Sequence, residues 1–501
     1  MSSPSSRRAL LAGASLAAAL PALAQAPGQV PPSPAQAAGG VRPTPRVPDS
    51  LDPRRPLLIR GATVVTMDPA VPDLPRGDVL VRDGAIAAVG RDLAAPEGTQ
   101  VIDGTGRIAI PGLVNAHIHL GQALQRGMSA DQTLAQYFAT VVGKLSSRLS
   151  AEDLRAADYA GSLELLDAGV TTVLDWSRET TSPDHADAAL DAFEAAGIRA
   201  IFAYGLAGSG AGSTQSANSP QAVSADIRRL RAGRMASPGR VRLALAIRGP
   251  DFSTLEETAG DIRLAREFEL LVQFHAGAPV YAGRTRRGIA MMRERGLLTP
   301  LVSLAHANDL DEDEYRMVAD AGGSTVSTPE VEMQMGHGFP AAPRMLRAGG
   351  IAAVGSDISA GVGGDVLVQA RIALAAARGL ANAAAFRDGA PATAVAVTTR
   401  QALEWATLGG ARAAGLGDVA GSLTPGKRAD IVLLRADTVG TAPLHDPVAA
   451  VLMQCGVQSV DTVMVDGRVV KRDGKLLHTD ATQAASAVRE RAAALEARSA
   501  G

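Results

Sequence analysis

The chain has 501 residues, 46% of them hydrophobic and 20% charged, the balance of a globular protein with a large core. Aromatics are only 3%, so Leu, Val, Ile and Ala must fill that core. A formal net charge of -2 and the lack of any basic tract exclude a surface built for nucleic acid or for an anionic membrane.

Residues 1–24 read as an export signal. Arg7-Arg8 precede an apolar run from Ala9 to Leu23, and Ala22-Leu23-Ala24 places small residues where a signal peptidase reads them. The paired arginines predict the twin-arginine route and a periplasmic location, an ordinary secretory signal being the other reading. Cleavage is expected after Ala24. No other run has the roughly 18 apolar residues of a membrane span. Residues 25–55, rich in Pro, Ala and Gly, read as a linker. Residues 56–110 hold three β-like segments, Leu57 to Met67, Asp78 to Val89 and Val101 to Ile110, with turn signals at Asp83-Gly84 and Asp103-Gly104. From Pro111 to residue 417, short apolar runs alternate with helical stretches. Runs end at Asp175, Gly205, Ile247, His275, His306, Thr328 and Gly355. Repeated βα units over this length predict an α/β protein with a parallel sheet closed into a (β/α)8 TIM barrel. Residues 418–475 are β-like again and are expected to complete the first β module; residues 476–501 predict a terminal helix. The one cysteine, Cys455, excludes an intrachain disulfide, and its neighbours predict a buried strand end.

The strongest local signal is the segment from Pro111 to Leu120, PGLVNAHIHL. On a strand, His117 and His119 point the same way, and two imidazoles at that spacing can grip one transition metal. His275 and His306 each close an apolar run, and Asp357 follows another. The C-terminal ends of barrel strands are where active sites form. The chain has eight histidines, so four in such places is a poor match to chance.

With these residues the chain resembles the amidohydrolase superfamily, in the branch that contains cytosine-type and adenosylhomocysteine-type deaminases and triazine hydrolases. Further motifs that carry the resemblance are Ala168-Gly169-Val170-Thr171-Thr172-Val173, Gly355-Ser356-Asp357, the tail from Gly421 to Asp430 (GSLTPGKRAD), and Val465-Asp466-Gly467-Arg468. The resemblance implies a barrel set into a small β-sandwich built from both chain ends. It implies that His117, His119, His275 and Asp357 hold a divalent metal, Zn2+ or Fe2+, with His306 beside the substrate. In that scheme Asp357 serves as general base and His306 stabilises the developing oxyanion. Some members bridge two metals with a barrel lysine. No lysine lies between Lys144 and Lys427 here, so one metal is expected. Relatives of this type imply a homo-oligomer acting on a small molecule.

One position departs from the pattern. Deaminases of this branch carry His-x-x-Glu where this chain has His275-Ala276-Gly277-Ala278. Alanine cannot protonate a leaving amine. Glu330, Glu332 or His337, in the segment from Thr328 to His337, are candidates to supply an acid or bind substrate. Gln122, Arg126, Arg248, Asp251 and Trp176 are further candidates to line a pocket, while His185, His445 and His478 read as structural. The expected activity is therefore hydrolysis of a non-peptide C–N bond in an amide, cyclic amide or amidine. A deaminase or other leaving-group hydrolase on a heteroaromatic ring is the alternative. A non-catalytic binding protein on the same scaffold is the reading from another class.

Overall fold

Asp-Gly pairs set the local geometry of one of the protein's two sheets. In the computed structural model, which describes residues 55–206, 218–277, 286–477 and 479–500, strands β1 (Leu57–Val64), β2 (Leu74–Arg82), β3 (Ala85–Gly90), β4 (Gln100–Asp103) and β5 (Arg107–Pro111) precede the barrel region. The proposed export signal, the linker up to residue 54, Ala278 and His478 lie outside the described residues. Asp83 and Gly84 both have positive φ, 50° and 72°, and close a two-residue turn that pairs Arg82 with Ala85. Two central residues at φ > 0 match the right-handed twist of a hairpin. Asp103-Gly104 behaves differently. The Asp103 carboxylate accepts from the Thr105 amide at 2.9 Å, yet the chain does not reverse: β4 and β5 both run parallel to β1.

The parallel sheet begins with β6 (Leu113–His119), β7 (Val170–Ser177) and β8 (Arg199–Gly205). It continues with β9 (Val241–Ala246), β10 (Leu271–Ala276), β11 (Val302–His306) and β12 (Ser324–Ser327), and ends in β13 (Ile351–Val354) and β14 (Asp357–Ile358). Neighbours pair in sequence order from β6 to β13, all parallel. β14 follows β13 after two residues and pairs back onto β6, Asp357 opposite Ile118, so the sheet curls toward its own first strand as in a TIM barrel. Gly355 permits this approach: a Cβ there would lie 2.4 Å from the His117 carbonyl oxygen.

Strand alternation sorts the core. Ala200, Phe202, Tyr204, Leu243 and Leu245 join a large cluster with the surrounding helices, whereas Leu174, Trp176, Ile201, Ala203, Ala244 and Ala246 form a separate one. β7, β8 and β10 are buried along their whole length, the signature of strands covered on both faces. Helices between strands start on identifiable caps. Ser150 and Thr254 each make a capping box, for Ala151–Asp167 and Leu255–Glu267.

After the barrel region, β15 (Ile431–Arg435), β16 (Val460–Val465), β17 (Arg468–Arg472) and β18 (Lys475–Leu476) join β1–β5 in one sheet, through antiparallel pairing of β15 with β5. Strands from both chain ends thus share a sheet, with a core that includes Leu57, Ile59, Val79, Val81, Ile431 and Leu433. Cys455 is buried but does not end a strand. It follows the helix Pro447–Met453, where its amide donates to the Ala450 carbonyl. The terminal helix spans Ala481–Ala500. Among the described residues, no helix is long and apolar enough to cross a membrane.

Candidate metal centre

Four polar side chains converge at the C-terminal ends of parallel strands. One ligand atom each from His117, His275, His306 and Asp357 lies within 4.8 Å of all the others, and all four residues are buried. His119 adjoins them: its Nε2 is 3.3 Å from His275 Nε2 and 3.6 Å from Asp357 Oδ1. His117 Nε2 is 3.2 Å from the same Asp357 oxygen. Two of the residues are held in backbone conformations that non-glycine residues rarely adopt, His306 at φ 70° and Asp357 at φ 62°. Such strain persists where surrounding structure enforces it, and it concentrates at functional sites.

Neighbouring groups set the imidazole tautomers. Gln273 donates through Nε2 to the Ala116 carbonyl and to Ser303 Oγ, so its Oε1 must be the atom that meets His117 Nδ1 at 2.6 Å. An amide oxygen only accepts. His117 therefore carries its proton on Nδ1 and turns a lone pair on Nε2 toward Asp357. His119 Nδ1 meets the Trp176 carbonyl at 2.7 Å, which places its lone pair on Nε2 by the same logic. Burial, with the charges of Arg178 and His117, holds His119 well below the ordinary histidine pKa. Burial and the facing histidines do the same to His275. Two neutral imidazoles thus aim nitrogen atoms at one small volume. Around a tetrahedral ion bound at about 2.0–2.1 Å, ligand atoms stand about 3.3 Å apart, so the observed 3.2–3.6 Å separations fit a divalent cation. Burial alone would raise Asp357. The facing imidazoles of His117, His306 and His119 outweigh it and hold the carboxyl well below the usual range.

His306 belongs to a second arc. Its Nδ1 faces Thr328 Oγ1 at 3.1 Å and Glu332 Oε1 at 3.3 Å, and its ring stands 4.6 Å from that of His337. Glu332 is fully buried and accepts from the Thr328 amide at 2.8 Å. Burial pushes its carboxyl up to about 7. Burial also lowers His306 and His337 to about 4. Of the other expected pocket residues, Gln122 donates to the Tyr137 hydroxyl at 2.6 Å. Glu330 accepts from Gln369 at 2.9 Å, and Arg126 is bound to Glu164 at 2.5 Å. Arg248 lies 3.3 Å from both Glu257 and Asp261, on the helix after β9, so its charge is already matched. Asp251 accepts from the Gly277 amide at 2.7 Å. Trp176 packs against His275 at 4.7 Å between ring centres and donates to the Gln273 carbonyl. His185 is tied to Ser182 and to the Leu149 carbonyl.

Sequence reasoning passed over Gln273, Thr328, Tyr137 and Arg178. Arg178 Nη2 is 3.1 Å from His119 Nε2. Its place one residue beyond β7 is the signal that could have found it, since that is a strand end like the others.

The chain is similar to known proteins over most of its length. The Amidohydrolase family model matches residues 108–470. A 5-methylthioadenosine/S-adenosylhomocysteine deaminase of Desulforudis audaxviator is 30% identical over 85% of this chain and 95% of its own length. A 5'-deoxyadenosine deaminase of Methanothermobacter thermautotrophicus is 28% identical over 80% of this chain and 90% of its own. Among solved structures, the atrazine chlorohydrolase TrzN of Arthrobacter aurescens TC1, complexed with zinc, superposes with a TM-score of 0.79 at 26% identity. That match covers 87% of this chain and 100% of the other.

Proposed function

The chain belongs to the amidohydrolase family, and from that premise we propose that it hydrolyses a non-peptide C–N bond of a small molecule with one divalent ion, zinc or iron. In this reading His117, His119, His275 and Asp357 hold the ion at the mouth of a (β/α)8 barrel that is set into a β-sandwich made of both chain ends. The observation that carries the reading is the pair of His119 and His275 nitrogens facing each other at 3.3 Å beside the Asp357 carboxylate. An ion held there would supply Lewis acidity for hydrolysis. Asp357 would accept a proton from the attacking water. Its carboxyl, held below the usual range, is ionised at neutral pH, so its oxygens only accept. His306, fixed through Nδ1 by Thr328 and Glu332, presents Nε2 to the oxygen that gains charge. Glu332 buttresses His306.

The printed activities of the deaminase relatives favour a second reading, removal of an amine from a heteroaromatic ring. Alanine at position 278, where a proton-shuttling glutamate is expected, weighs against it. Product masses separate the two. Deamination changes the substrate by about one mass unit, whereas cleavage of an acyclic amide adds water and yields two fragments.

Metal content per chain tests the central claim. We expect one zinc or iron per chain in the wild type and loss of most of it in His117→Ala. A wild type that stays metal-free after reloading would overturn the reading, and two ions per chain would overturn the single-ion part of it. We also infer export, from Arg7-Arg8 and the apolar run after them. Periplasmic protein beginning at Gln25 is the expected result of N-terminal sequencing.

A further inference from the structure

Arg178 differs from the other arginines near the barrel mouth. Arg126 pairs with Glu164 and Arg248 with Asp261 and Glu257. Among the described residues Arg178 makes no ion pair with a carboxylate. Its Nη2 lies 3.1 Å from His119 Nε2, and its guanidinium sits 5.7 Å from the centre of the Trp176 ring. Its Nε is buried with no hydrogen-bond partner. Arg178 is only partly buried, and a guanidinium cannot shed its proton. The Arg178 fork therefore reaches the edge of the proposed ligand set with donor capacity unused.

The charge balance sharpens the point. A divalent ion and Arg178 together would bring three positive charges to the centre, and Asp357 offsets one of them. Both carboxylate oxygens of the adjoining Glu179 are buried without a hydrogen-bond partner, so that side chain does not pair with Arg178, and burial raises its carboxyl. The remaining positive charge calls for an anion from outside the chain. We propose that the substrate is itself an anion, a small amide or cyclic amide whose carboxylate is bound by Arg178 beside the scissile bond. This inference rests on the hydrolase reading for the bond that is cleaved, but the anion site can be tested apart from it.

The test uses benzoate and benzamide as a shape-matched pair of probes, titrated by calorimetry into zinc-treated wild type, Arg178→Gln and Arg178→Lys. Wild type should bind benzoate at least about tenfold more tightly than benzamide, the scale of a charge-assisted hydrogen-bonded pair. Arg178→Gln should lose about tenfold for benzoate and less than about twofold for benzamide, with Arg178→Lys between them. Unchanged benzamide binding shows that the variant is folded. Benzoate binding that is undetectable in wild type, or unaffected by Arg178→Gln, overturns the proposal. Because carboxylates also bind zinc, the comparison of variants isolates the arginine. Protein that retains no zinc yet binds benzoate through Arg178 would sink the hydrolase reading while leaving the anion site intact.

Discussion

Glu330 and Glu332 stand two positions apart and have unlike surroundings. Glu330 is half-buried and hydrogen-bonded to Gln369. Glu332 is fully buried, within 3.3 Å of His306 Nδ1, with its carboxyl raised to about 7. On whatever substrate a screen returns, Glu332→Gln should lower kcat by about hundredfold or more, the scale of a lost acid–base partner. Glu330→Gln should leave kcat/KM within about twofold, as substitutions away from a site usually do. Equal effects of the two changes would contradict this division. Two steps of sequence decided between the roles, because a helix begins at Pro329 and side chains two positions apart on it point about 200° from one another.

Along single elements, the buried acid on β7 gives the clearest pH dependence. Burial pushes the Asp175 carboxyl up to about 7 from an ordinary 3.8, against the hydrogen bond it accepts from the Leu120 amide at 2.9 Å. Below pH 3.8 the group is protonated in both folded and unfolded chains, and its contribution to stability is fully present. Between 3.8 and about 7 the unfolded chain gives up the proton while the fold retains it, so stability falls as pH rises through this window. Asp175→Asn keeps an acceptor for Leu120 and removes the penalty. The variant should be more stable than wild type at pH 8 by about 1–3 kcal/mol, with the gap closing toward pH 4. Asp158 and Glu179, also raised by burial, share protons with Asp175, so the single change relieves only part of the effect. Thermal melts across pH 4–8 measure this, and parallel curves for the two proteins would refute it. The strand itself was legible as an apolar run, but the protonation of its acid was not, since that depends on what three other segments place around it.

At the scale of the molecule, a buried ion network ties the parallel sheet to the sheet of the chain ends. Arg199 on β8 meets Asp430 at 2.7 Å and Asp466 at 3.1 Å, just before β15 and just after β16, and Asp430 also accepts from the Asp466 amide. Arg199 and Asp430 are almost fully buried. Arg199→Met keeps much of the stem volume but leaves Asp430 buried without its cation. It should cost about 3–5 kcal/mol in urea unfolding, the range for breaking one partner of a buried pair. A loss below about 1 kcal/mol would mean that the network does little for the joint between sheets.

Several features were settled by the sequence itself. Asp-Gly pairs favoured the hairpin turns at 83–84 and 466–467, where both residues take positive φ, although the same pair at 103–104 does not reverse the chain. Period-two spacing put His117 and His119 on one face of β6, and continuous apolar runs marked strands covered on both sides. The convergence of His275, His306 and Asp357 on that face needed the curled sheet, in which β14 returns to β6 across more than two hundred residues. Tertiary structure alone decided which lone pair each histidine offers, which arginines are already paired, and which carboxyls stay protonated. The physical reason is common to all three: each depends on the distance between groups far apart in the chain and on the water excluded from between them, whereas the pattern along the sequence specifies only the side of an element on which a residue falls.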